Sequence, residues 1–148
     1  MPSNAQALAD ELRAIAVRAA GPGGQAAAAA MALEGERAIK TKLSTYSHGK
    51  GTPTPSPPGQ PPAIVTGTLR RSLITQPPLG GGGRWVATVG PTVIYARIQE
   101  LGGDTGRNYA THLPARPYVH PAIEQLRVSG QLTTVAAAAF RQVVFGGV

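Results

Sequence analysis

Near the N-terminus, Leu8, Leu12, Ile15 and Ala19 recur at helical spacing, which predicts a helix capped by Asn4 or Ser3. Asp10 and Glu11 fall in its early turns, where the positive end of the helix dipole favours acids. The run Gly21-Pro22-Gly23-Gly24 is expected to end it. A second helix is predicted from about Gln25 to Tyr46, with Ala29, Leu33, Glu36, Ile39 and Leu43 tracing a narrow stripe. Glu34 and Glu36 precede Arg37 and Lys40, and Lys42 lies near the C-terminal end, an order that suits both side-chain pairing and the dipole. Gly35 weakens the middle of this helix by about 1 kcal/mol relative to alanine, or marks the close approach of a neighbour.

From Ser47 to Pro62 the helical period is lost, and Pro53, Pro55, Pro57, Pro58, Pro61 and Pro62 remove backbone donors. Such a segment is expected to be an exposed arm or loop, neither helix nor central strand. Beyond it, Leu69–Thr75 and Arg84–Gly90 read as two strands, joined by a long, loose tip through Gln76-Pro77-Pro78-Leu79 and Gly80–Gly83. Ile94, Ile98 and Leu101 predict a short helix over Val93–Leu101, ended by Gly102-Gly103, and a stretch near Tyr109–Leu113 is a third strand candidate. A C-terminal helix follows Pro117–Pro121, with Pro121 in its first turn. It has Ile123, Leu126, Leu132, Val135, Phe140 and Val144 for packing, and a bend is expected at Ser129-Gly130.

These elements give an α+β chain of 148 residues, read as a single domain. Residues 1–48 form a helical N-terminal part, 49–62 a Pro-rich arm or loop, and 63–148 an α+β core. Aromatic residues make up 5% of the chain, so the core must rely on small and aliphatic side chains that bury little area each. Neighbours are therefore expected to rigidify it. The absence of cysteine excludes disulfides, thiol catalysis and Cys-based zinc sites. No run approaches the roughly 20 apolar residues of a membrane span, and the chain is expected to be soluble and made in the cytoplasm.

Net charge is +7, and its distribution matters more than its size. Between Arg37 and Gln99 stand Arg37, Lys40, Lys42, Lys50, Arg70, Arg71, Arg84 and Arg97 with no acid at all. Such a span attracts a polyanion or an acidic protein surface, or else is a solvated face. Lys40, Lys42, Lys50 and Arg84 are the candidate contacts to a partner or to DNA. The aromatic or Gly-clamp motifs of nucleic-acid modules are absent, which leaves a basic nucleic-acid-binding protein as the alternative reading.

Catalytic chemistry is thinly represented. Glu100 and Asp104, with His112 and His120, match no compact ligand spacing. A small hydrolase built on Glu100, Asp104 and His112 is the weakest reading of the three. Glu100 otherwise serves as a salt bridge or a cap near Arg97 or Arg116. Gly102–Arg107 lacks the lysine of a phosphate loop and reads as a loop tip. No cofactor is expected.

Three patterns stand in fixed order: Thr66-Gly67-Thr68-Leu69-Arg70-Arg71-Ser72, then Tyr95–Gly102 with Glu100 and Leu101, then Pro114-Ala115-Arg116-Pro117-Tyr118-Val119-His120-Pro121-Ala122. Gly67 supplies backbone freedom while Thr and Ser hydroxyls bond nearby amides. Arg70 and Arg71, being adjacent, cannot serve one strand face together; one is expected to be intramolecular, the other available to a partner. With Pro58-Gly59-Gln60-Pro61-Pro62 ahead of them, these patterns resemble the tail-component and neck-protein family of long-tailed bacteriophages, over roughly Gly59–Gln125. Leu101 replaces the family's usual aromatic residue and is expected still to anchor the core. Tyr118 holds the aromatic position of the last pattern.

The resemblance implies a long N-terminal helix and a C-terminal helix packed on a small antiparallel sheet. It implies a structural virion protein and not an enzyme: a tail-completion or head-tail connector component, assembled in the host cytoplasm. Members form homo-oligomeric rings, here most simply a hexamer, around the DNA channel. Neighbouring head-connector, tail-terminator or tail-tube proteins are the implied partners.

Overall fold

The computed structural model describes residues 4–47 and 56–146. The fold is α+β, with a long N-terminal helical stretch, C-terminal helices and small antiparallel two-stranded sheets. Its elements are α1 (Asn4–Arg18), α2 (Gly24–Lys42), α3 (Thr68–Arg71), β1 (Leu73–Gly81), β2 (Arg84–Pro91), α4 (Ala96–Leu101), β3 (Gly103–Thr105), β4 (Thr111–Leu113), α5 (Val119–Val128) and α6 (Gln131–Phe145). Contacts divide the chain into two compact units. One holds the chain up to Glu34, Gln76–Thr88 and the part from Gly130 onward; the other holds Gly35–Thr75 and Val89–Ser129.

In the first unit the run Gly21-Pro22-Gly23-Gly24 does not end the helix, contrary to expectation. A π-helical turn, Ala19–Gly23, carries the chain from α1 into α2. Pro22 has no N–H and its ring crowds the carbonyl four residues back, and one wider turn absorbs both problems. Gly24 N–H reaches Ala19 O, five residues earlier, and also Gly21 O. The Trp85 indole Nε1–H donates to Ala20 O at 2.9 Å. The glycines serve close approach: a Cβ on Gly23 would stand 2.6 Å from Val144 Cγ2, and one on Gly24 2.6 Å from Trp85 Cδ1. α6 packs on this turn and on α1.

The second unit carries the main core, made by Ile39, Leu43, Leu73, Tyr118 and Ala122. Leu69, Val89, Val119 and Ile123 pack against it. Each large side chain here contributes about 1.5–3 kcal/mol through burial. The predicted α2 stripe is shifted: Leu33 is exposed, while Ala32, Gly35, Ile39 and Leu43 are buried. Gly35 does mark close approach, since a Cβ there would lie 3.2 Å from Ile123 Cδ1 and 3.4 Å from Val89 Cγ1. α2 stops at Lys42, short of Tyr46, and Ser47 forms a parallel bridge with Ile64.

Several strand expectations are corrected. Leu69 lies in the single helical turn of α3, not in a strand. The loose tip is instead a paired ribbon: β1 runs through Pro77-Pro78 to Gly81, and only Gly82-Gly83 turn, at φ 59° and 84°. Two positive φ values in a two-residue connection match the twist of a tight hairpin. Prolines are tolerated because the sheet has only two strands, so each has an unpaired edge. Gly103–Thr105, expected to be a loop tip, is β3. It pairs antiparallel with β4 in a separate sheet, Asp104 opposite His112. The C-terminal helix is broken, not bent, at Ser129-Gly130, where Gly130 takes φ 72°.

Candidate functional site

The three sequence patterns interlock within the second unit. α4 ends where Gly102, at φ 69°, turns the chain against residues 113–115; a Cβ there would lie 2.7 Å from Ala115 N and 2.8 Å from Leu113 O. Arg116 N–H donates to Gln99 O at 2.8 Å. Tyr118 is fully buried, and its hydroxyl donates to Ala96 O at 3.3 Å. Burial, with the Glu100 and Tyr95 charges as lesser causes, pushes its phenol up to about 12. Tyr118 is thus the apolar anchor that the last pattern predicts.

Glu100 is a cap and not a salt bridge. Its Oε2 accepts the Tyr118 and Val119 N–H groups at 2.7 and 2.9 Å, and its Oε1 accepts His120 N–H at 2.9 Å. An α-helix leaves its first four N–H groups without partners. For α5 these belong to Tyr118, Val119, His120 and Pro121. The carboxylate takes three, and proline has no fourth to offer. Leu101 is exposed and does not anchor the core; Ile94, expected on the packed face of the same helix, is 99% exposed.

The first pattern docks on the same core. Gly67, at φ 73°, opens α3, and Thr66 Oγ1 accepts Thr68 N–H at 3.3 Å. Ser72 Oγ donates to Leu69 O, and Ser72 O accepts both the amide and the hydroxyl of Thr92. Arg70 Nε donates to Lys40 O at 3.3 Å; both arginines are exposed and lie in the helical turn of α3, not on a strand. Lys40 pairs with Glu36 at 2.5 Å, and Glu36 also accepts the Thr75 hydroxyl. Lys40 first, then Thr75, holds that carboxyl below its usual range. Lys42 is half-buried in the last turn of α2 and Arg84 is exposed on β2. Lys50 lies outside the described residues.

Where it is described the Pro-rich segment is a loop, as expected, exposed over residues 57–60 but anchored at both sides. Pro61 and Ser56 are buried, Gly59 N–H donates to Ala115 O at 2.9 Å, and Ile64 N–H to Tyr46 O at 2.8 Å. Residues 48–55 lie outside the described chain. With this segment as one wall, the patterns line a half-open cavity of about 320 Å³ that includes Leu43, Ser56, Ile64, Leu69, Gln99 and Arg116. Thr66, Gly67, Arg70 and Tyr95 also face it, whereas Pro114, Pro117 and Pro121 are spent on the path into α5. Ser56 and Gln99 carried no sequence signal as site residues. Only the fold brings a proline-rich loop and the middle of α4 to the same place.

Of Glu100, Asp104, His112 and His120, the fold pairs only Asp104 with His112 among the described residues. His112 Nδ1 meets Asp104 Oδ1 at 2.7 Å across β3 and β4, with both side chains exposed. Glu100 is engaged with amides, and among the described residues no three His, Cys, Asp or Glu side chains form a metal-holding group. Nor is any helix among them long and apolar enough to cross a membrane. Comparison with protein families, curated proteins and solved structures gives no match.

Proposed function

We propose that this chain is a structural component of a long-tailed phage neck, a tail-completion or head-tail connector protein that assembles as a homo-oligomeric ring around the DNA channel. The observation that carries this reading is the use made of the three patterns. Several of their polar residues, Thr66, Ser72 and Glu100 among them, serve caps and turns, which fixes a shape. The surfaces left open favour assembly. α1 buries no residue although Leu8, Leu12 and Val17 lie on it, and Leu79 on the ribbon is 76% exposed. Exposed apolar side chains at several elements mark surfaces that partners cover.

Native mass spectrometry and negative-stain imaging of the purified protein test the reading, with rings as the expected result. Charge reversal at Arg71 is the cleanest test of the basic surface, since Lys40 already holds Glu36 and Arg70 already bonds the backbone. Arg71→Glu is expected to leave helix content intact and to stop heads and tails from joining, because like charges across an interface cost several kcal/mol. A protein that stays monomeric at all concentrations, binds DNA with steep salt dependence and is absent from particles would replace this reading with the nucleic-acid one.

A further inference from the structure

Arg116 is a cation in an unusual place. Only 8% of its surface is exposed, and among the described residues no acidic side chain lines the cavity beside it. Among the described residues its guanidinium has one hydrogen bond, from Nε to the Ser56 carbonyl at 3.1 Å. Four of its five N–H donors are therefore left over. Ser56 is 6% exposed, and its Oγ is sealed from solvent with no hydrogen-bond partner among the described residues. Buried charges are ordinarily paired, because desolvating an unpaired ion costs several kcal/mol. Here a mostly buried cation whose remaining donors have no protein partner among the described residues, and a sealed hydroxyl, share one cavity wall.

We infer that this cavity is a binding site for a monovalent carboxylate carried on a small apolar body. The guanidinium fork matches the two carboxylate oxygens. One buried cation balances one negative charge, whereas a phosphate dianion would need a second, and the further arginine at the cavity, Arg70, is exposed and turned to Lys40 O. Leu43, Ile64 and Leu69 supply an apolar wall. At about 320 Å³ the space is at the small end of ligand pockets and larger than a bare ion needs. An acidic side chain or chain terminus of another polypeptide carries this chemistry, and so does a free short-chain acid. The inference holds whether or not the protein belongs to a phage neck.

Titration of the labelled full chain, followed by amide NMR, tests it with N-acetyl-leucine, N-acetyl-leucinamide, isovalerate, a capped Ala-Glu-Ala peptide and inorganic phosphate. Saturable shifts at Gln99 and Thr68, with the amide at least about tenfold weaker than the acid, are expected, since one hydrogen bond to a charged group is worth that factor. Arg116→Met should abolish the shifts, and His120→Ala, which does not line the cavity, should keep them. Tighter binding of N-acetyl-leucine or the capped peptide than of isovalerate assigns a protein source; the reverse order assigns a free acid. Equal binding of acid and amide, phosphate binding as well as the carboxylates, or no saturable shift with any probe overturns the proposal. The acid-to-amide comparison uses the unaltered chain, so it stands even if Arg116→Met fails to fold.

Discussion

Replacing Glu100 removes the acceptor of three N–H groups at once, which makes it the most exacting test of the way α4 and α5 are joined. Two of those hydrogen bonds, to Tyr118 and Val119, are partly buried, and the one to His120 is exposed. Stranding a buried amide costs about 1–3 kcal/mol, while an exposed one returns to water at little cost. Loss of the negative charge at the positive end of the α5 dipole adds about 0.3–1 kcal/mol. Glu100→Ala is therefore expected to cost about 3 kcal/mol, two to three times an ordinary N-cap deletion. Glu100→Gln can keep one oxygen on the Tyr118 and Val119 amides but turns an NH2 toward His120, for a loss of about 1–1.5 kcal/mol. Arg97→Ala should stay within about 0.5 kcal/mol of the parent, as exposed substitutions do. Urea unfolding followed by circular dichroism gives the global figure. Hydrogen exchange at Tyr118, Val119 and His120 gives the local one, which matters because two compact units need not unfold together. A Glu100→Ala cost below about 0.5 kcal/mol, or strong coupling of Glu100 to Arg97 or Arg116 in a double-mutant cycle, would return Glu100 to an ion-pair role and refute the cap.

Three glycines of the π-turn region should respond differently to alanine. Gly21→Ala, with nothing within 4 Å of its Cβ, should stabilise by about 0.5–1 kcal/mol. Gly23→Ala and Gly24→Ala should each cost about 1–3 kcal/mol by overpacking, with a shift in Trp85 fluorescence for Gly24; equal effects at all three positions would contradict the close-approach account. Tyr118→Ala should cost about 3–5 kcal/mol. Its phenol is raised from 10.0 to about 12 in the fold, so the protonated form is favoured there. The associated stability is full below pH 10 and is lost as pH rises through about 12, up to about 3 kcal/mol. Tyr118→Phe should remove that alkaline slope, and an unchanged slope would show the titrating group to be another. Finally, the Gly59 and Ile64 amides should be protected from exchange in the free protein, since both are hydrogen-bonded to other segments; rapid exchange at both would favour the exposed-arm expectation instead.

Residues that act on their own neighbours were legible in the chain. Gly102 ending α4, Pro121 in the first turn of α5, the Thr66 hydroxyl beside Gly67 and Tyr118 as an apolar anchor all follow from local sterics, missing donors or side-chain type. The α+β class follows from the same patterns. What only the tertiary structure decided is where partners far along the chain stand. Gly21-Pro22-Gly23-Gly24 reads as a helix stop, yet the helix runs on through it, with Val144 and Phe140 close against Gly23 and Trp85 close against Gly24. Glu100 has arginines near it in sequence but three amides near it in space. Pro61 belongs to a polar, proline-rich stretch and is nonetheless buried. The cavity holding Ser56 and Arg116, 60 residues apart, was invisible for the same reason: local propensity is a property of a few neighbouring residues, whereas burial and electrostatic pairing depend on segments whose meeting no local pattern encodes.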